Sequence, residues 1–211
     1  VLGYPRMDLT VNITNERIHQ IRNILHVAQE DKLVLYAPTW RGVHGKATLD
    51  VDKLKNDLML LSAQECSLVF RGHHMIEKII KELDIPDVRI VPSGIDTNEL
   101  LGAVDILITD YSSIAFDFLV CNKPIIYYAY DLLEYMEERG LYFPLTELPG
   151  KVIQNGNELI ESLNDYLFDQ KKFDASLAIN KYCPHDNGQV SERVKDWFIF
   201  GDDKYTTPQD K

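Results

Sequence analysis

Cysteine is scarce in this chain, with three in 211 residues. Cys66, Cys121 and Cys183 are odd in number and widely spaced, which argues against a disulfide framework or a zinc site and for reduced core thiols in a cytosolic setting. Long apolar runs are absent: nothing approaches the roughly 18 residues that a membrane span needs, and the first residues carry no signal-peptide pattern. Positive charge is in short supply, 22 Lys and Arg against 33 Asp and Glu, for a formal net charge of −11. That balance excludes a general nucleic-acid binder, because such proteins cover phosphates with a basic footprint. Any anionic ligand must be held by local donors. Internal repeats and low-complexity blocks are missing as well. What the chain does have is apolar content, 45%, enough for a sizeable core in one large domain or one domain with attachments.

The patterning alternates. Apolar positions at Ile18, Ile21, Ile24, Leu25 and Ala28 predict an amphipathic helix over 14–29, with Thr14 or Asn15 as cap. Short apolar runs predict strands at 32–37, 67–70, 88–91, 104–108 and 124–127. Helices are expected at 50–63, 75–83, 97–103, from Ser112 onward, and at 131–138, 158–167 and 191–200. Strands separated by helices imply right-handed crossovers and a parallel, doubly wound α/β sheet.

The densest chemistry lies where the 104–108 run stops at Thr109-Asp110-Tyr111-Ser112-Ser113. A strand, polar turn and helix there put two hydroxyls and several unpaired N–H groups outside the carboxyl end of a parallel strand, where α/β folds bind phosphates. Ser112 as a plain N-cap is the competing reading. After the first strand, Tyr36-Ala37-Pro38-Thr39-Trp40-Arg41-Gly42 offers a ring, a hydroxyl and a guanidinium suited to bidentate phosphate contacts, or else a packed and solvated loop. After the second strand, Arg71-Gly72-His73-His74 brings a histidine able to donate to phosphate when protonated, or to act as acid or base near neutral pH. Adjacent histidines rarely converge on one ion and no third ligand is evident, so no metal is expected. Ser93-Gly94-Ile95-Asp96-Thr97 reads as plain capping of the helix that follows.

Taken in order, Gly3-Tyr4-Pro5-Arg6-Met7-Asp8, Tyr36-Ala37-Pro38-Thr39-Trp40-Arg41, Arg71-Gly72-His73, Asp105-Ile106-Leu107-Ile108-Thr109-Asp110-Tyr111-Ser112-Ser113, Phe116-Asp117-Phe118, Lys123-Pro124-Ile125-Ile126, Tyr130-Asp131-Leu132 and Arg139-Gly140-Leu141-Tyr142-Phe143 resemble the CDP-glycerol glycerophosphotransferases. These are the teichoic-acid primases and polymerases and related capsule enzymes. Each motif alone is weak; the ordered set, over residues 3 to 200, is specific.

The resemblance implies a GT-B architecture of two Rossmann-like domains, with this chain as the C-terminal, donor-binding half. Residues 1–12 are then an interdomain connector, 13–200 the Rossmann-like CDP-alcohol donor-binding domain and 201–211 a polar tail. The implied reaction is attack by a hydroxyl of a lipid-linked polymer acceptor on the β-phosphorus of CDP-glycerol, releasing CMP, in cell-wall teichoic acid or capsule synthesis. No cofactor and no nucleic acid are implied, and the full-length protein is expected as a peripheral protein at the cytoplasmic face of the cell membrane. Carried over by position, Ser112 and Ser113 hold the pyrophosphate. Arg71 and His73 sit beside the transferred phosphate, with His73 as leaving-group stabiliser or acid. Thr39, Trp40 and Arg41 line the donor pocket, and Asp110 orients that loop or the donor. A second functional histidine belongs to the N-terminal domain in this family, so this half alone should bind donor and barely turn over.

Two positions depart from the family pattern. His74 stands where proline usually follows the histidine, which makes the loop less rigid or adds a phosphate contact. Pro144 stands where many members place an acid after Leu141-Tyr142-Phe143, which leaves glycerol phosphate and ribitol phosphate both open. A GT-B glycosyltransferase using a nucleotide-sugar donor is the rival reading, though it calls for a ribose-gripping acid near the last strands that is not clearly placed. A response-regulator-like module needs an acidic cluster at the first strand's end, and Tyr36-Ala37-Pro38 supplies none.

Overall fold

Short runs of Val, Leu and Ile build the centre of the molecule. The computed structural model describes residues 2–39, 42–43, 46–47 and 50–201. Its strands are β1 (Leu33–Tyr36), the short antiparallel pair β2 (Gly42–Val43) and β3 (Lys46–Ala47), then β4 (Ser67–Phe70), β5 (Val88–Ile90), β6 (Ile106–Thr109), β7 (Ile125–Tyr128) and β8 (Lys151–Ile153). The helices are α1 (Met7–Val11), α2 (Asn15–Ile24), α3 (Val51–Ser62), α4 (His74–Leu83), α5 (Thr97–Ala103), α6 (Ile114–Leu119), α7 (Leu132–Glu138), α8 (Gly156–Leu167), α9 (Ser176–Tyr182) and α10 (Val190–Phe200), with a 3-10 turn at Leu145–Glu147.

Six strands form one sheet in the order β5-β4-β1-β6-β7-β8, every pair parallel. The order runs outward from β1 on one side and from β6 on the other, so the topological switch point lies between them. All four residues of β1, β4, β6 and β7 are buried, as a parallel sheet covered on both faces requires. Alternation divides them between two cores. Leu33 and Leu35 pack with Met7, Ile21, Leu100, Ala115 and Phe118 from α1, α2, α5 and α6. Val34 and Tyr36 pack with Leu54, Leu58, Ile76, Ile80, Leu159 and Leu163 from α3, α4 and α8. The expected Rossmann-like α/β sheet, helices on both faces, is what forms.

Several local differences have identifiable causes. The first amphipathic helix stops at Ile24, not Gln29: His26 takes a left-handed φ of 54° and the Val27 N–H returns to the Arg22 carbonyl at 2.9 Å. The short α1, α9 and β8 went unread because five, seven and three residues carry too little periodicity. At the Pro149-Gly150 turn the backbone approaches the Ile125 carbonyl so closely, at φ +123°, that no Cβ fits, and β8 starts there.

The first residues are packed, with Met7 1% exposed. Arg6 grips Asp117 through Nη2 at 2.8 Å and Nε at 3.1 Å, Asp8 accepts the N–H groups of Val190 and Ser191, and Thr10 donates to the Asn98 carbonyl. The Gly-Tyr-Pro-Arg and Phe-Asp-Phe motifs therefore meet as one structural joint. Residues 202–211, most of the expected polar tail, lie outside the described residues. Among the described residues no helix is long and apolar enough to cross a membrane.

Candidate functional site

Three strand ends lie level. Tyr36 of β1 pairs with Phe70 of β4 on one side and Ile108 of β6 on the other. The ladder continues one step, from the Ala37 N–H to the Ile108 carbonyl at 2.9 Å and from the Arg71 N–H to the Tyr36 carbonyl at 3.1 Å. The loops holding Thr39, Arg71-Gly72-His73 and Asp110 to Ser113 thus leave the sheet side by side at the switch point, where open α/β sheets take ligands.

Asp110 is 2% exposed and turned inward. Its carboxylate accepts the Thr39 N–H at 2.9 Å, the Thr39 hydroxyl at 2.5 Å and the Tyr111 N–H at 2.6 Å. Beneath it the Thr109 hydroxyl donates to the Ala37 carbonyl at 2.7 Å. These bonds stitch the β1 and β6 loops together. Thr39 has its hydroxyl proton committed to that carboxylate. Trp40 and Arg41, expected beside it, lie outside the described residues.

Ser112 and Ser113 face outward from the stitched loop. Ser113 occupies the N-cap of α6 in helical conformation and its hydroxyl makes no cap bond, whereas Ser112 Oγ accepts the Ile114 N–H at 3.3 Å. Capping thus accounts for Ser112 through a long bond and leaves Ser113 unexplained. The N–H groups of both serines donate to no described residue.

His73 is the N-cap of α4, its Nδ1 accepting the Met75 N–H at 3.5 Å, and its exposed ring lies 4.1 Å from that of His74. Glu77 closes the same turn by accepting the Gly72 N–H at 3.3 Å, and a Cβ on Gly72 would meet the Phe70 ring at 2.9 Å. Arg71 donates through Nη1 to the Ile95 carbonyl at 2.9 Å. That bond anchors the guanidinium on the β5 side and leaves its remaining N–H groups without a described partner. Asp96 caps α5 as expected, accepting the Asn98 N–H at 2.7 Å.

Sequence reasoning missed an aromatic wall. Tyr111 stacks on Tyr135 with centroids 3.7 Å apart and donates its hydroxyl to Asp131 at 2.9 Å. The available signal was the spacing of Asp131 and Tyr135, four apart at the start of α7. All three cysteines are free thiols pushed up to about 11 by burial. Among the described residues no group of three His, Cys, Asp or Glu is arranged to hold a metal ion.

Residues 1–200 match the family described as CDP-Glycerol:Poly(glycerophosphate) glycerophosphotransferase. The chain belongs to this family. A teichoic acid glycerol-phosphate transferase of Staphylococcus aureus (strain NCTC 8325 / PS 47) is 33% identical over 91% of this chain and 52% of its own length. A teichoic acid ribitol-phosphate polymerase, TarK, of the same organism is 30% identical over 93% of this chain and 40% of its own. A substituted form of the wall teichoic acid polymerase TagF soaked with CDPG superposes with a TM-score of 0.75 at 29% identity, over 95% of this chain and 51% of that one. The chain thus spans about half the length of the glycerol-phosphate transferase it matches. Among the motif residues, Arg6 and Asp117 form a joint, Asp110 a stitch between loops, Arg71 and Ser112 are partly exposed, and His73 and Ser113 are exposed.

Proposed function

We propose that this chain is the donor-binding, C-terminal half of a GT-B glycerophosphotransferase, taking CDP-glycerol or a related CDP-alcohol at the crevice above β4, β1 and β6. Residues 1–12 lead in from the other half, 13–200 form the donor domain and 201–211 a tail. The observation that carries the reading is the adjacency of three level strand-end loops with N–H groups at Ser112 and Ser113 and guanidinium N–H groups at Arg71 that meet no partner among the described residues, and with an exposed imidazole at His73. Donors of this kind match a pyrophosphate, in a chain whose net charge of −11 would otherwise repel one.

In the reaction, a hydroxyl of a lipid-linked polymer attacks the β-phosphorus. The new P–O bond forms as the bond to CMP breaks, the hydroxyl proton passes to a base from the other half, and CMP leaves with the bridging oxygen. Ser112 and Ser113 hold the pyrophosphate through backbone and hydroxyl. Arg71 neutralises charge on the transferred phosphoryl oxygens, and His73 stabilises or protonates the leaving oxygen. Thr39, held by Asp110, is assigned to the pocket together with Trp40 and Arg41, which follow it in sequence. The work takes place at the cytoplasmic face of the membrane, where the enzyme sits peripherally to meet its acceptor.

Calorimetric titration of the chain with CDP-glycerol, CDP-ribitol, CMP and UDP-glucose tests the reading. A CDP-alcohol should bind most tightly, and a Ser112→Ala, Ser113→Ala variant that stays folded should bind it about tenfold more weakly, the loss of one or two charge-assisted bonds. Preference for UDP-glucose would move the chain to the glycosyltransferases.

A further inference from the structure

We propose that Lys53 is a phosphate contact of the donor site, its ammonium braced by Asp57 and Tyr128 so that one N–H points to an oxygen of the donor's pyrophosphate. The inference rests on the donor-domain reading above.

Lys53 lies in the first turn of α3, the helix reached from the loop after β1, and therefore at the carboxyl end of the sheet. Its Nζ donates to the Tyr128 hydroxyl at 2.6 Å and lies 3.2 Å from Asp57 Oδ2. The Tyr128 hydroxyl in turn donates to Asp57 Oδ1 at 3.0 Å. The ammonium also sits 4.4 Å above the Tyr130 ring and 5.0 Å from that of Tyr128, within cation–π range.

This cluster borders the same crevice. Thr109 pairs with Tyr127, so Tyr128 falls one register step further, alongside Asp110. Tyr130 is followed by Asp131, which accepts the Tyr111 hydroxyl. The buried Tyr36 hydroxyl, at the end of β1, is held well above its ordinary titration range by burial and then by the fields of Asp57, Asp110, Tyr130 and Tyr128, so these groups crowd one place.

An ammonium has three N–H donors. Two are turned inward, one on the Tyr128 hydroxyl and one on Asp57, whose Oδ1 and Oδ2 lie 3.4 Å and 3.2 Å from Nζ, and beyond the face of the Tyr130 ring the described residues offer the ammonium no third hydrogen-bond acceptor. Asp57 is 4% exposed and the Lys53 side chain 28%, so the carboxylate is the buried base of the pair and the cation its open end. Two rings and a carboxylate fix the flexible stem before any ligand arrives, which removes much of the rotamer cost of using a lysine. A lysine serving only to neutralise Asp57 would bind no ligand and would stiffen α3 against β7.

The experiment titrates the chain and its Lys53→Met, Lys53→Gln and Lys53→Arg variants with cytidine, CMP, CDP and CDP-glycerol. Methionine keeps the apolar stem and glutamine a polar end, so a folded neutral variant is available. The expected result is a loss of about tenfold for CDP and CDP-glycerol, the scale of a charge-assisted bond, with cytidine affected less than about twofold and Lys53→Arg recovering most of the affinity. Unchanged CDP affinity in a neutral variant overturns the proposal, and so does an equal loss for cytidine, which marks a structural clamp. If the parent chain binds none of the four ligands, the donor-domain reading falls and this inference with it; a parent that binds while the neutral variants bind equally well removes Lys53 alone.

Discussion

After β6 the chain turns inward: Asp110 is 2% exposed, its oxygens engaged by Thr39 and Tyr111, and Tyr111 is itself tied to Asp131 and stacked on Tyr135. After β4, starting from the same level of the same sheet, the chain turns outward. His73 and His74 are exposed, and the cap bond of His73 is 3.5 Å long. The difference separates two tasks. A carboxylate surrounded by donors in a buried turn holds geometry and cannot change partners without a large cost. An exposed imidazole whose cap bond is long stands open to solvent and to a ligand. In both loops, polar residues sit at the carboxyl end of a strand; burial separates those held by the fold from those open to solvent.

Two substitutions should break this contrast if it is wrong. His73→Ala in the full-length enzyme should lower turnover by about 100-fold or more, the range for an acid or charge-stabilising group, while the melting temperature of this chain falls by no more than about 1 kcal/mol's worth, the weight of a cap. A near-normal rate would remove His73 from the chemistry. Asp110→Ala should do the reverse in this chain, costing about 3 kcal/mol in urea unfolding, because the Thr39 and Tyr111 donors are left without their acceptor in a buried turn. A loss below about 0.5 kcal/mol, within the ordinary range for surface changes, would show that the stitch is not what holds the β1 and β6 loops together.

This contrast was only half legible in the amino-acid sequence. The strands β1, β4, β6 and β7 announced themselves because both faces of a parallel sheet are apolar, and Asp50, Asp96 and Thr14 marked their helices by capping. Position at a strand's carboxyl end was therefore readable for Thr39, Arg71, His73, Asp110, Ser112 and Ser113. Side-chain direction was not, since it depends on partners from other elements: Thr39 is 71 residues from Asp110, and Arg6 is 111 from Asp117. The Lys53 and Asp57 pair shows the same limit, for its spacing within α3 is visible while Tyr128, 75 residues from Lys53, is not. The short α1 and β8 were lost for a different reason, being defined by what they pack on more than by their own periodicity.

A smaller change sharpens the comparison by asking how far the scaffold extends from Asp110. Tyr111→Phe keeps the ring stacked on Tyr135 and deletes only the hydroxyl that donates to Asp131 at 2.9 Å. Asp131 is half-buried and water can re-solvate its carboxylate, so the expected cost is about 1 kcal/mol, less than for Asp110. If the tie to α7 also positions the loop that carries Ser112 and Ser113, affinity for CDP-glycerol should drop a few-fold with the enthalpy of unfolding nearly unchanged. If stability falls and affinity does not, the scaffold ends at the Thr39 stitch, and the aromatic wall belongs to the packing of α7 alone.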